Sequence, residues 1–262
     1  MTARLVGSAP TLSMSCGGPL ADESSSSAFP WPDGRLYGRR QAKPLRPRPQ
    51  RLVTDLLPTL AVTPDHVGAL IAAWEGRVWL EVGFGGGEHL AWQAARHPDT
   101  LMLGAEPFLN GVGKLLGLIE DQGLTNIRIL HGDVRPLMAA LPDQSVDRLF
   151  VLHPDPWPKK KHHKRRMISP AFLDQAARIL PPGGHLRVSS DIPDYVRWTL
   201  MHIQRHNRRE MTFRWTARRR RDWTVRPEDW PQTRYEAKAL REGRSPAYLD
   251  FIRQPDGHPA RG

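Results

Sequence analysis

The stretch Leu80-Glu81-Val82-Gly83-Phe84-Gly85-Gly86-Gly87-Glu88 decides the fold. Arg77 to Val82 reads as a strand and Glu88 to Arg96 as a helix. The glycines between them allow turns with φ > 0 and let backbone approach a ligand with no Cβ in the way. In a doubly wound sheet such a turn lies at the carboxyl end of its strand, where ligands bind. A dinucleotide fingerprint needs Gly-x-Gly-x-x-Gly, but the third position here is Glu88. A glutamate at the helix start repels a pyrophosphate seeking that end of the helix dipole. The turn therefore argues against a dinucleotide and for a nucleoside cofactor without phosphate.

The alternation continues outward. A helical pattern opens at Pro64 and ends at Gly76. Thr100 to Ala105, Asn126 to His131, Val146 to Leu152 and His185 to Ser190 read as further strands. Leu109 to Asp121, a short segment ending at Leu141, Pro170 to Leu180 and Pro193 to His206 read as helices. Two late strands, 210–216 and Ala247 to Ile252, are expected to be antiparallel. The fold class is α/β, a doubly wound Rossmann-like sheet, mostly parallel with an antiparallel late strand. The folded domain is expected over 52–254. It follows a Ser-rich disordered tail (1–34) and a Pro- and Arg-rich basic arm (35–51), and a short tail (255–262) ends the chain. The arm either lies along a phosphate backbone or keeps the protein in solution.

Three acids close successive strands: Glu81 within the end of the first, Glu106 after the second, Asp133 after the third. Singly, each reads equally well as a helix cap or a solvated carboxylate. In register they suit a ribose, an adenine amine and a cationic amino acid, which together describe S-adenosylmethionine.

After the strand ending at Leu152 comes His153-Pro154-Asp155-Pro156-Trp157-Pro158, then Lys159 to Arg166 with six Lys or Arg in eight residues. Prolines at alternate positions forbid helix and stiffen the exit. Asp155 and Trp157 thus sit at a strand end beside a patch suited to polyanions. Trp157 either stacks on a splayed base or wedges under the loop. Ser189-Ser190-Asp191 reads as a helix N-cap from the residues alone. A second basic cluster, Arg205, Arg208, Arg209, Arg214 and Arg218 to Arg221, is interleaved with Trp215 and Trp223, a mixture that suits RNA. His162 and His163 lack a third partner at metal-type spacing, so no metal is expected.

The bulk composition agrees. A net charge of +11 implies an acidic partner, with nucleic acid foremost. At 39% hydrophobic the chain suits a folded domain, and no apolar run approaches bilayer length. A single cysteine, Cys16, excludes an intrachain disulfide, and no secretory signal is evident. The cytoplasm is the expected compartment. Oligomeric state, monomer or homodimer, is not legible.

Together Leu80 to Gly87, Gly104-Ala105-Glu106-Pro107, Gly132-Asp133, Pro154 to Lys159 with its basic tail, and Thr233-Arg234-Tyr235-Glu236 followed by Gly243 resemble the bacterial single-chain tRNA (guanine-N7-)-methyltransferases. The resemblance spans about residue 35 to 253. It implies a class I methyltransferase sheet, and S-adenosylmethionine bound by Glu81, Gly83, Gly85, Glu106, Asp133 and Asp155. It makes Asp155 catalytic and gives Lys159, Asp191, Thr233, Arg234, Tyr235 and Glu236 to the substrate. Lys161, His162, His163, Lys164, Arg165 and Arg166 would contact RNA. The implied product is N7-methylguanine in the tRNA variable loop, position 46. Two other readings stay open: an exocyclic-amine methyltransferase, whose loop would carry adjacent prolines, and a non-catalytic RNA-binding protein on the same scaffold.

Overall fold

A computed structural model describes residues 36–38, 40–208 and 211–257. The tail 1–34, Arg209 of the second basic cluster and the last five residues lie outside the described residues. Strands β1 (Val78–Val82), β2 (Leu101–Ala105), β3 (Ile127–Leu130), β4 (Arg148–Leu152), β5 (His185–Ser190), β6 (Phe213–Trp215) and β7 (Ala247–Arg253) form one sheet. Its order is β3-β2-β1-β4-β5-β7-β6. β1 to β5 are parallel, and β7 runs against β5. The expected antiparallel late strand is β7. β6 pairs antiparallel with β7, so it turns back to the direction of the other five.

Helices α1 (Pro47–Asp55), α2 (Leu57–Leu60), α3 (Pro64–Ala72), α4 (Glu88–Arg96), α5 (Leu109–Gln122), α6 (Val134–Ala140), α7 (Pro170–Ile179), α8 (Pro193–His206), α9 (Arg221–Thr224) and α10 (Arg234–Arg241) flank or follow the strands, and the basic run Lys160–Arg165 forms a 3-10 helix. Strand parity sorts the core. Val78, Leu80 and Val82 point to one face, against Val67 of α3, Leu137 of α6 and Phe172 of α7. Trp79 points to the other, with Met102, Phe150, Leu90 of α4 and Leu115 of α5. All of β1 is buried, as a central parallel strand covered on both sides must be.

The helix α1 begins inside the sequence expected to be an extended arm. Pro47 at its first position suits an N-terminus, and Leu52 is buried against the α5 layer. Arg48 reaches Glu120 at 2.8 Å and also Asp121, while Arg51 reaches Glu120 at 2.6 Å. These two arginines are thus turned to α5 rather than to an outside phosphate. Among the described residues no helix is long and apolar enough to cross a membrane.

The strand order reverses between β1 and β4, and the crevice at their carboxyl ends is where a doubly wound sheet binds ligand. Close packing shapes it. A Cβ on Gly111 of α5 would stand 2.1 Å from the Gly85 carbonyl. Gly87, at φ +79°, would put a Cβ 2.6 Å from Leu115. Helix α5 can therefore seat on the Gly-rich turn only with glycine at both places.

Candidate active site

A cavity of about 530 Å³ opens at the ends of β1 to β4. Its wall includes Gly83 and Gly85 of the Gly-rich turn, Glu106, Asp133, Asp155, Trp157, Arg165, Tyr235 and, from the N-terminal segment, Leu36 to Gly38. Three of the acids singled out in the sequence thus share one hollow with the proline-rich loop.

Glu106 is held by backbone at both oxygens. Oε2 accepts the Gly85 N–H at 2.7 Å and Oε1 accepts the Phe108 N–H at 2.9 Å. Each oxygen keeps a lone pair for a ligand. Burial pushes its carboxyl above the ordinary range, the two backbone bonds work against this, and the nearby Asp155 and Glu81 charges add to it. Asp133 caps α6 by accepting the Arg135 N–H at 3.0 Å, and the Arg135 guanidinium clasps it at 2.8 Å. Its helix-cap reading and its place on the cavity wall hold together. Asp155 keeps exposed surface, yet crowding by its surroundings also raises its pKa.

Glu81, whose charge reaches Glu106, does not itself line the cavity. Parity sends its side chain to the α4 face, and it is absent from the cavity wall. There Oε2 meets His89 Nδ1 at 2.7 Å, and both side chains are nearly fully buried. Gln93 Nε2 donates to the Asp229 carbonyl at 2.8 Å and lies 3.1 Å from His89 Nε2. Since that Nε2 is a donor, His89 accepts from it and carries its own proton on Nδ1, facing Glu81. Only the polar residues at 89 and 93 of an otherwise apolar face hint at this relay in the sequence.

The loop is bent at two points. His153 has φ +47° and Trp157 φ +41°, left-handed values costly for side-chain-bearing residues. His153 is fixed by its N–H to the Ser189 carbonyl at 2.9 Å and by Nδ1 against Asp191 Oδ1 at 3.2 Å. Asp191 also accepts from Arg244. The N-cap reading of Asp191 fails: Ile192 occupies the cap of α8 without a side-chain bond, and it is Ser190 Oγ that accepts the Ile192 N–H. Asp191 instead braces the start of the loop.

Of the basic run, Lys159, Lys160, Lys161 and Lys164 are exposed, and His162, His163 and Arg165 half-buried. Arg166, expected to touch RNA, turns inward, its side chain 1% exposed. It lies over the Tyr195 and Trp198 rings, pairs with Asp194, and donates from Nε to the Pro156 carbonyl at 2.8 Å. The segment Thr233 to Glu236 also divides. Thr233 caps α10, and Glu236 is buried, accepting from Tyr248 Oη at 2.7 Å. Arg234 and Tyr235 face the Gly-rich turn: Arg234 lies 3.5 Å from Glu88, and the Tyr235 ring sits over Gly85. Among the described residues no group of His, Cys, Asp or Glu could hold a metal.

Known proteins agree with this architecture. The sequence family described as "Putative methyltransferase" matches residues 75–248. A tRNA (guanine-N(7)-)-methyltransferase of Rhodospirillum rubrum is 52% identical over 234 residues, covering 86% of this chain and 90% of that protein. One from a Ruegeria species is 46% identical over 248 residues, covering 90% and 94%. The crystal structure of the 16S rRNA methyltransferase KamB superposes with a TM-score of 0.51 at 19% identity, covering 71% of this chain and 92% of that one, a likeness of fold. The chain belongs to the tRNA (guanine-N(7)-)-methyltransferase family.

Proposed function

We propose that this protein transfers the methyl group of S-adenosylmethionine to N7 of a guanine in tRNA, the variable-loop guanine 46, in the cytoplasm. The observation that carries the reading is that Glu106, Asp133 and Asp155 line one cavity whose rim is the cationic loop. A phosphate-bearing cofactor would be repelled by those acids, whereas an adenosine carrying a sulfonium and an ammonium is not. The residues fit it: Glu106, with both oxygens aligned by backbone, suits two ribose hydroxyls, and Asp133 at the neighbouring strand end suits the adenine amine. When bound, the cofactor supplies an activated methyl on a positive sulfur.

N7 of guanine has a lone pair and no proton, so the reaction needs no general base. Asp155 therefore serves by charge and hydrogen bonding. It is placed to accept from the guanine N–H edge and to favour positive charge as that charge passes to the purine. His153, Asp191 and Arg166 hold its loop in place, which is the positioning that such a displacement requires. Lys159, Lys161, Lys164 and Arg165 supply charge for the RNA backbone, and Arg234 and Tyr235 border the substrate side of the Gly-rich turn.

The test is methyl transfer from labelled cofactor to unmodified tRNA transcripts with and without the variable-loop guanine. Label confined to the guanine-bearing transcript supports the reading. Equal labelling of both, or none of either, rejects it.

A further inference from the structure

Arg165 occupies a corner made by two aromatic rings on the cavity wall. Its guanidinium carbon lies 4.4 Å from the Tyr37 ring centre and 4.9 Å from that of Trp157. The rings are 6.4 Å apart and inclined at 72°, so a cation in the corner lies over both faces. Arg165 Nε is buried there with no hydrogen-bond partner. A buried donor left unpaired is costly, so the aromatic faces rather than hydrogen bonds hold this nitrogen's end of the side chain. Two backbone conformations that side chains rarely adopt flank it: Trp157 at φ +41° and Gly38 at φ +118°, whose Cβ position lies in ordinary contact with Asp155 Oδ2 at 3.9 Å. The segment carrying Tyr37 thus runs over Asp155 and is tied down beyond it, where the Leu109 N–H donates to the Arg40 carbonyl at 2.9 Å.

We propose that this corner is a guanine-binding subsite whose Tyr37 and Trp157 faces stabilise the positive charge the base gains on methylation, with Arg165 as its planar occupant until RNA arrives. The inference rests on the function proposed above. In that reaction the N7 lone pair forms a bond to the methyl carbon as the carbon–sulfur bond breaks, its electron pair staying on sulfur. The sulfonium becomes a neutral thioether and the purine a planar cation. A corner that already holds one planar cation is complementary to this product and to the transition state leading to it, more than to neutral guanine. An RNA phosphate offers Arg165 the acceptor that its Nε lacks, which frees the corner.

The experiment compares Tyr37→Leu, Trp157→Leu and the corresponding phenylalanine variants. Leucine keeps apolar bulk without a π face. Each leucine variant should lower kcat about 3- to 30-fold, with S-adenosylmethionine affinity changed less than about twofold, and phenylalanine should restore most of the rate. Tyr37→Leu lies outside the loop, so it guards against a loop that merely misfolds. Wild-type protein should bind transcript already carrying 7-methylguanine more tightly than unmethylated transcript, and the leucine variants should lose that preference. Unchanged kcat, or a fall in cofactor affinity matching the fall in kcat, would overturn the inference in favour of a simple latch. Absence of methyl transfer by the wild type would instead overturn the functional reading beneath it.

Discussion

Arg166 Nε donates to the carbonyl of Pro156, the residue following Asp155, at 2.8 Å from a side chain that is 1% exposed. A residue within a cationic run is thereby a strut for the loop that carries Asp155. Arg166→Met keeps much of the packing on Tyr195 and Trp198 and removes the bond. It should cost about 1–3 kcal/mol of stability and lower kcat at least tenfold, while tRNA affinity changes little. Thermal unfolding, turnover and filter binding check this; a selective loss of tRNA affinity would make Arg166 an RNA contact after all.

Asp155→Ala should abolish turnover and leave tRNA binding largely intact, since the phosphate-facing lysines are untouched. Equal loss of both would give Asp155 a purely structural role.

Burial raises the carboxyls of Glu106 and Asp155. Their ionised forms are thus the disfavoured ones in the free cavity, so their contribution to stability is lost as pH rises through the raised values. A bound cation reverses the preference. Affinity for S-adenosylmethionine should then be held at neutral pH and fall as pH drops through those values. S-adenosylhomocysteine lacks the sulfonium charge, so the affinity ratio of the two should narrow from about pH 7 to about pH 5. Calorimetry across that range checks it; a constant ratio would mean that no carboxylate faces the sulfur.

Burial works against the Asp191 charge, but Arg244 and His153 outweigh it and hold the carboxyl below its usual range. A lowered carboxylate contributes stability above its unfolded pKa, and this is lost as pH falls toward the folded one. Asp191→Asn should therefore lower Tm at neutral pH and flatten its fall below about pH 5. An unchanged acid limb would contradict the role assigned to this brace.

Steep salt dependence is expected of tRNA binding. About six phosphate contacts, drawn from the four exposed lysines of the run, Arg165 and the Arg218–Arg221 group, predict a log–log slope of roughly −4 to −5. A flat response would remove the cationic rim from the interface.

The sheet was legible because β1, β2 and β4 are largely apolar runs and the helices between strands are punctuated: Gly123 after α5, Pro170 and Pro193 at the starts of α7 and α8. Helix α1 was not, because Pro47 and Pro49 among the six arginines of 35–51 read as a basic arm that would not fold alone until Leu52 finds α5 to pack on. Glu106, Asp133 and Asp155 could be placed at one crevice from strand ends alone. Glu81 could not, since one residue of strand parity moves it to the α4 face, and only the fold shows His89 waiting there. Arg166 and Arg165 are neighbours with the same charge, and nothing local says that one turns inward to Pro156 while the other lies between Tyr37 and Trp157. Tyr37 reaches the cavity from far away in sequence, which periodicity does not report.

The central claim, methylation at a ring nitrogen that needs no base, is tested most directly by mapping the modified nucleotide. N7-methylguanine is positively charged and its strand breaks under alkaline aniline treatment. Reacted tRNA should be cleaved at a single position, the variable-loop guanine. Methyl label incorporated without any aniline-sensitive site would show an exocyclic amine as the acceptor and contradict the account.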